Sequence, residues 1–125
     1  MKKLAAFFCL LPFFSCFSPE RNCEDFRTGT YEFESFINGE LLTSRFIRND
    51  SIEIEQFMGK TDTSSVRWIN DCEYILKNIN PDGMAEEKPI HIKILTTSKE
   101  GYTFEYGQVG NPRKEKGKVR KVSGN

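Results

Sequence analysis

The sequence predicts an all-β domain, in which about eight short antiparallel strands run up and down and close into a small barrel, with a β-sandwich as the alternative. Three observations carry this. Apolar and charged residues alternate with a period of two through most of the chain, the spacing of a strand rather than a helix. Turn-forming residues interrupt these runs at short intervals, so successive strands pair with their neighbours. One face of the resulting sheet is apolar and aromatic, and a single open sheet would leave it wet. Closure or folding over buries it, and the short connections favour closure.

In chain order, Tyr31 and Phe33 alternate with Glu32 and Glu34. Ile37-Asn38-Gly39-Glu40 reads as a tight hairpin, because Asn and Gly tolerate positive φ. Leu42 to Arg48 is the next strand and Arg48-Asn49-Asp50-Ser51 the next turn. Ile52 and Ile54 then alternate with Glu53 and Glu55. In an ordinary sheet such glutamates lie on the solvated face. The polar stretch Gly59 to Ser64 reads as a longer loop, followed by Val66 and Trp68 alternating with Arg67. Asn70-Asp71 turns the chain into Cys72, Tyr74 and Leu76, which share a face. Asn80-Pro81-Asp82-Gly83 is a turn and Met84 to Pro89 an acidic loop. Ile90, Ile92 and Ile94 line one face of a strand. Ser98-Lys99-Glu100-Gly101 leads into Tyr102, Phe104 and Tyr106, and a short last strand spans Lys118 to Val122.

The N-terminus belongs to a different kind of segment. Lys2 and Lys3 precede an apolar run of eleven residues, Leu4 to Phe14. A membrane-crossing helix needs about 20 apolar residues, whereas a signal-peptide core has about 7–15. Phe13-Phe14-Ser15-Cys16 resembles the lipobox of bacterial lipoproteins, whose cysteine is acylated and becomes the mature N-terminus. The match lies in Ser15 and Cys16; the two phenylalanines depart from the usual pattern. The expected organisation is therefore a signal peptide over residues 1–15, an anchor at Cys16 with a tether over 16–25, and one barrel-like domain over 26–125. Phe17-Ser18-Pro19-Glu20, with no Asp beside Cys16, is similar to outer-membrane sorting patterns.

Removing fifteen residues leaves 110, one domain's worth of chain. Lys2 and Lys3 leave with the signal, so sixteen basic residues face eighteen acidic ones, a net charge near −2. That balance does not suit nucleic-acid binding. Arg113, Lys114, Lys116, Lys118, Arg120 and Lys121 form a basic tail that reads first as a solvated final strand and second as a polyanion contact. Cys9 departs with the signal and Cys16 anchors, which leaves Cys23 and Cys72 as a pair in an oxidising compartment. A disulfide between them would close a loop of about 50 residues, worth about 4 kcal/mol in the chain-entropy model. Buried free thiols are the alternative. Neither cysteine has a Cys or His at metal-ligand spacing.

The segments Asn22 to Tyr31, Arg48 to Ile52 and Val66 to Tyr74, with their two similar cysteine frames and the tryptophan between strand signals, resemble short uncharacterised bacterial cell-envelope lipoproteins with a lipocalin-like β fold. The likeness covers most of residues 1–106. It implies a location and a fold but no activity. Such proteins sometimes carry a topoisomerase name by automatic transfer, which a 110-residue exported domain cannot support.

No catalytic, metal or cofactor constellation emerges. His91 is the only histidine and lies between Ile90 and Ile92, on the outward face. The acidic pairs Glu32/Glu34 and Glu53/Glu55 read as solvated alternation rather than as a glycosidase pair. The expected interior residues are Tyr31, Phe33, Trp68, Tyr74, Tyr102, Phe104 and Tyr106, which either fill the barrel or line a ligand site. Strands of about six residues favour a filled interior, and a void of about 300 Å³ would favour a ligand. The expected function is a non-enzymatic, lipid-anchored envelope protein that binds a small apolar ligand or a protein partner. The alternative is an inhibitor or accessory subunit of an envelope enzyme, using Gly59 to Ser64 or Pro81 to Pro89 as a protruding loop.

Overall fold

Eight antiparallel strands follow one another in chain order and close on themselves. They are β1 (Gly29–Ile37), β2 (Glu40–Arg48), β3 (Ile52–Phe57), β4 (Lys60–Asn70), β5 (Glu73–Asn78), β6 (Ile90–Thr97), β7 (Gly101–Gln108) and β8 (Glu115–Ser123). The structure is a computed structural model and describes residues 21–123, so Cys16 and the export segment lie outside the described residues. β1 pairs with both β2 and β8, which leaves no unpaired sheet edge. The expected up-and-down barrel is thus the fold, and the sandwich is not.

Two hairpins turn through paired residues of positive φ: Asn38 (53°) with Gly39 (81°), and Met58 (50°) with Gly59 (77°). This geometry matches the twist of the flanking strands. The second of these corrects the expected Gly59 to Ser64 loop. Those residues continue from the tight turn as the first half of β4, where Thr61 to Ser64 pair residue by residue with Gln56 back to Glu53. Hydroxyl side chains made the stretch read as loop, but pairing with β3 supplies its backbone with strand partners. The expected acidic loop holds one helical turn, α1 (Met84–Glu87), and β8 starts earlier than expected, at Glu115.

The two ends of the barrel differ. The turns at 38–39 and 58–59 and the connections 79–89 and 109–114 surround one end. At the other lie the turns after β2, β4 and β6, together with a 3-10 turn, Cys23–Phe26. Register shifts in β1, β4 and β6 also fall toward this second end, where bulges help the sheet curl inward. The 3-10 turn plugs it. Phe26 is buried, its ring edge-on to Tyr102 at 5.3 Å between centroids and 6.4 Å from Tyr31. Cys23 is bonded to Cys72 with their Cα atoms 5.2 Å apart, which fixes the plug to the β4–β5 turn. Cys23, which falls within the expected tether, is thus packed against the barrel.

β3 departs from expectation in its facing. Glu53 is buried and Glu55 half-buried, whereas Ile52 and Ile54 are exposed. The cause is the turn before it. Asn49 Oδ1 accepts the backbone N–H groups of Ser51 (3.0 Å) and Ile52 (2.8 Å), and the Asn49 N–H donates to the Ile52 carbonyl (2.9 Å). This closes a hairpin in which Arg48 stands directly opposite Glu53. Ser44, Phe46 and Arg48 are the buried members of β2, so Glu53 and Glu55 must face inward with them, and Ile54 meets Ile47 outside.

Of the basic tail, Lys116, Lys118 and Arg120 alternate on the outer face of β8, while Arg113 and Lys114 precede the strand. Arg120 is ion-paired with Glu32 of β1, and Lys116 stands opposite Glu105 of β7. Lys121 Nζ instead donates to the Asp25 carbonyl at 2.9 Å, at the plugged end. On the inner face of β8, Gly117 leaves room for the rings of Phe33 and Phe104, either of which a Cβ would meet at 2.7 Å.

Candidate functional site

The site is built on a buried arginine. Arg48, 1% exposed, spreads its guanidinium across the lower barrel. Nε donates to Glu53 Oε1 (3.0 Å), Nη1 to the Phe26 carbonyl (2.6 Å), and Nη2 to both Tyr74 OH (2.8 Å) and Tyr102 OH (2.7 Å). Four of the five guanidinium N–H groups are thus used. Rings of Tyr74, Tyr31 and Phe46 lie 4.6, 5.0 and 5.2 Å from Cζ, close enough for cation–π attraction. One side chain therefore joins β2, β3, β5, β7 and the N-terminal plug.

Burial and charge set the local pKa values. Burial alone would lower the pKa of Arg48, but Tyr102, Tyr74 and Glu53 outweigh it and hold it well above the ordinary value. Burial raises Glu53 above the usual carboxylate range even with Arg48 beside it. Tyr74 and Tyr31 are raised chiefly by burial and stay neutral. Glu55 is raised by desolvation and by the negative charges of Glu53 and Asp62, partly offset by the Ser44 hydroxyl. Ser44 Oγ is buried without a strict hydrogen bond, so this last contact is weak.

Above the arginine the barrel is not filled. A cavity of about 190 Å³ opens toward the end that carries the two tight turns. The expectation of a solid core is corrected to this extent, although the void is smaller than the 300 Å³ of a drug-sized site. Of the aromatic residues singled out from the sequence, Phe33, Tyr74, Tyr102, Phe104 and Tyr106 line it. Tyr31 and Trp68 do not. Tyr31 is wholly buried beneath, stacked on Phe46 at 5.1 Å, and Trp68 packs on Tyr74 at 4.5 Å with Arg27 over its other side. The lining also takes Glu53, Glu55, Phe46 and Ile92. The two glutamates are what sequence reasoning missed. The available signal was the pairing of opposite charges, Arg48 and Glu53, across a turn.

The other candidates lie elsewhere. Nε2 of His91 contacts Glu73 Oε1 at 3.0 Å, on the outside of the barrel. A hydrogen bond from Asn70, with His91 adding to it, holds the Glu73 carboxyl below its ordinary pKa. At the mouth, Lys60 Nζ reaches Asp82 (2.9 Å) and Glu86 (3.2 Å), tying the 79–89 connection to the β3–β4 hairpin. Among the described residues no His, Cys, Asp and Glu group is placed to hold a metal ion, and no helix is long and apolar enough to cross a membrane. Comparison with protein-family models, with curated proteins and with solved structures finds no match.

Proposed function

We propose that this protein is an exported lipoprotein of a bacterial cell envelope, anchored through Cys16, whose barrel takes a small and mostly apolar molecule through its open end. The observation that carries the binding role is the aromatic cavity of about 190 Å³ above a closed and cross-linked floor. An empty space among ring faces forgoes dispersion contacts that a ligand would restore. An apolar cavity of about 150 Å³ holds a benzene, so this one suits a single ring with a short substituent. The anchor rests on the lipobox-like Phe13-Phe14-Ser15-Cys16, and a small disulfide-bonded domain suits an oxidising compartment.

Titration of the isotope-labelled protein with toluene tests the binding role. Amide and methyl shifts should localise to Phe33, Ile92 and Phe104, and Leu76→Phe, which puts a ring into the upper cavity, should weaken them. Shifts scattered over the outer surface would sink the reading. Mass spectrometry of the mature N-terminus tests the anchor. The expected peptide begins at an acylated Cys16, and an unmodified N-terminus at another residue would remove the lipid.

A further inference from the structure

We infer that the cavity selects a protonated amine carried on a single ring, with the ring held among Phe33, Phe104 and Tyr106 and the ammonium paired with Glu55. This rests on the binding role proposed above and adds the chemistry of the ligand.

The charges inside the barrel do not cancel. Arg48 and Glu53 form one ion pair. Asp62, near the rim, has Lys60 at 3.9 Å. Glu55 stands opposite Phe46 on one side and Asp62 on the other, and among the described residues it makes no ion pair. With Glu55 ionised, the interior carries one negative charge more than Arg48 balances, in a partly apolar surrounding where its attraction for a cation is far stronger than in water. Glu53 adds to this. Its side chain is 8% exposed and lines the cavity, its Oε1 is given to Arg48, and its Oε2 makes no hydrogen bond among the described residues.

The rings point the same way. Phe104 lies 5.6 Å from Phe33 and 5.4 Å from Tyr106 between centroids, all three lining the cavity. Their faces are negative and attract cations. An anion finds nothing comparable, because Arg48 lies beneath the cavity with four of its N–H groups bound and 1% of its surface exposed. A neutral ligand would fill the space but cover the half-buried Glu55 without bringing it a counter-charge, which is costly. The amine satisfies both the rings and the carboxylate.

The test compares three probes of similar size by calorimetry on the intact protein: 2-phenylethylamine, propylbenzene and 3-phenylpropionate. The amine should bind at least tenfold more tightly than propylbenzene, and the carboxylate should not bind. Glu55→Gln, similar in shape and checked by its thermal transition for folding, should bring the amine down to the level of propylbenzene and leave propylbenzene unchanged. Propylbenzene binding as tightly as the amine to the wild type would overturn the inference and leave the cavity as an apolar site. An amine preference surviving in Glu55→Gln would overturn the assignment to Glu55. If none of the three bound, the binding role itself would fall.

Discussion

Arg48 shows how one residue can dictate the faces of two strands. A guanidinium this deeply buried needs a carboxylate and several acceptors. Glu53, two tyrosine hydroxyls and the Phe26 carbonyl supply them. Removing one partner of such a pair leaves a buried charge uncompensated, at about 3–5 kcal/mol. Arg48→Met should lose stability in that range by urea unfolding, and the double variant Arg48→Met/Glu53→Leu should recover most of it, because no charge then stays buried. Glu55 has the opposite character. Its folded pKa lies above its ordinary value of 4.5. The folded state therefore favours the protonated acid, and its ionisation destabilises the fold as pH rises through the raised value. Glu55→Gln should raise the thermal midpoint at pH 7, and the gain should vanish only as pH falls well below 4.5, where the wild-type acid is protonated in both states. A residue that costs stability while facing a cavity is what a ligand site looks like at this scale.

Among the elements, the 3-10 turn and its disulfide decide that only one end is open. The sequence separation of Cys23 and Cys72 is 49, for which the chain-entropy model gives about 4 kcal/mol. The double variant Cys23→Ser/Cys72→Ser should lose up to that amount in denaturant unfolding, and the loss should be mirrored by the reduced wild type. The disulfide was legible from cysteine counting together with the expectation of export, and most strands were legible from alternation and from turn residues such as Asn38-Gly39. The facing of β3 was not. Ile52 and Ile54 are the more hydrophobic half of that alternation, so local pattern put them inside, and the register of the preceding turn, which sets Glu53 opposite the buried Arg48, reverses it. Gly59 to Ser64 failed for a related reason: small hydroxyl side chains carry weak pattern, and the partner strand decides. The aromatic half of the site was visible in Phe33, Phe104 and Tyr106. Its acidic half was hidden by the same inversion of β3.

At the scale of the molecule, both described ends of the chain lie at the plugged end of the barrel. Thr30 pairs with Ser123, and the Asn22 N–H donates to Thr97 Oγ1. A lipid at Cys16 would hold that end toward the bilayer and leave the mouth on the far side. A folded domain fused after Asn125 should then leave ligand binding unchanged, whereas the same domain inserted at Asn111 in the 109–114 loop should abolish it, as calorimetry would show. The seam between β1 and β8 also sets an order of events. Phe33 meets Val119 across it, so the ring cannot shut until the last strand is present, and contacts between such distant parts of a chain form slowly. If the chain is exported as proposed, it would stay threadable until its final strand arrives. Cys23 and Cys72 both precede that strand, so they can be oxidised while the barrel is still an open curl. Made early, the bond shortens the remaining search, and ring closure becomes the last step of maturation.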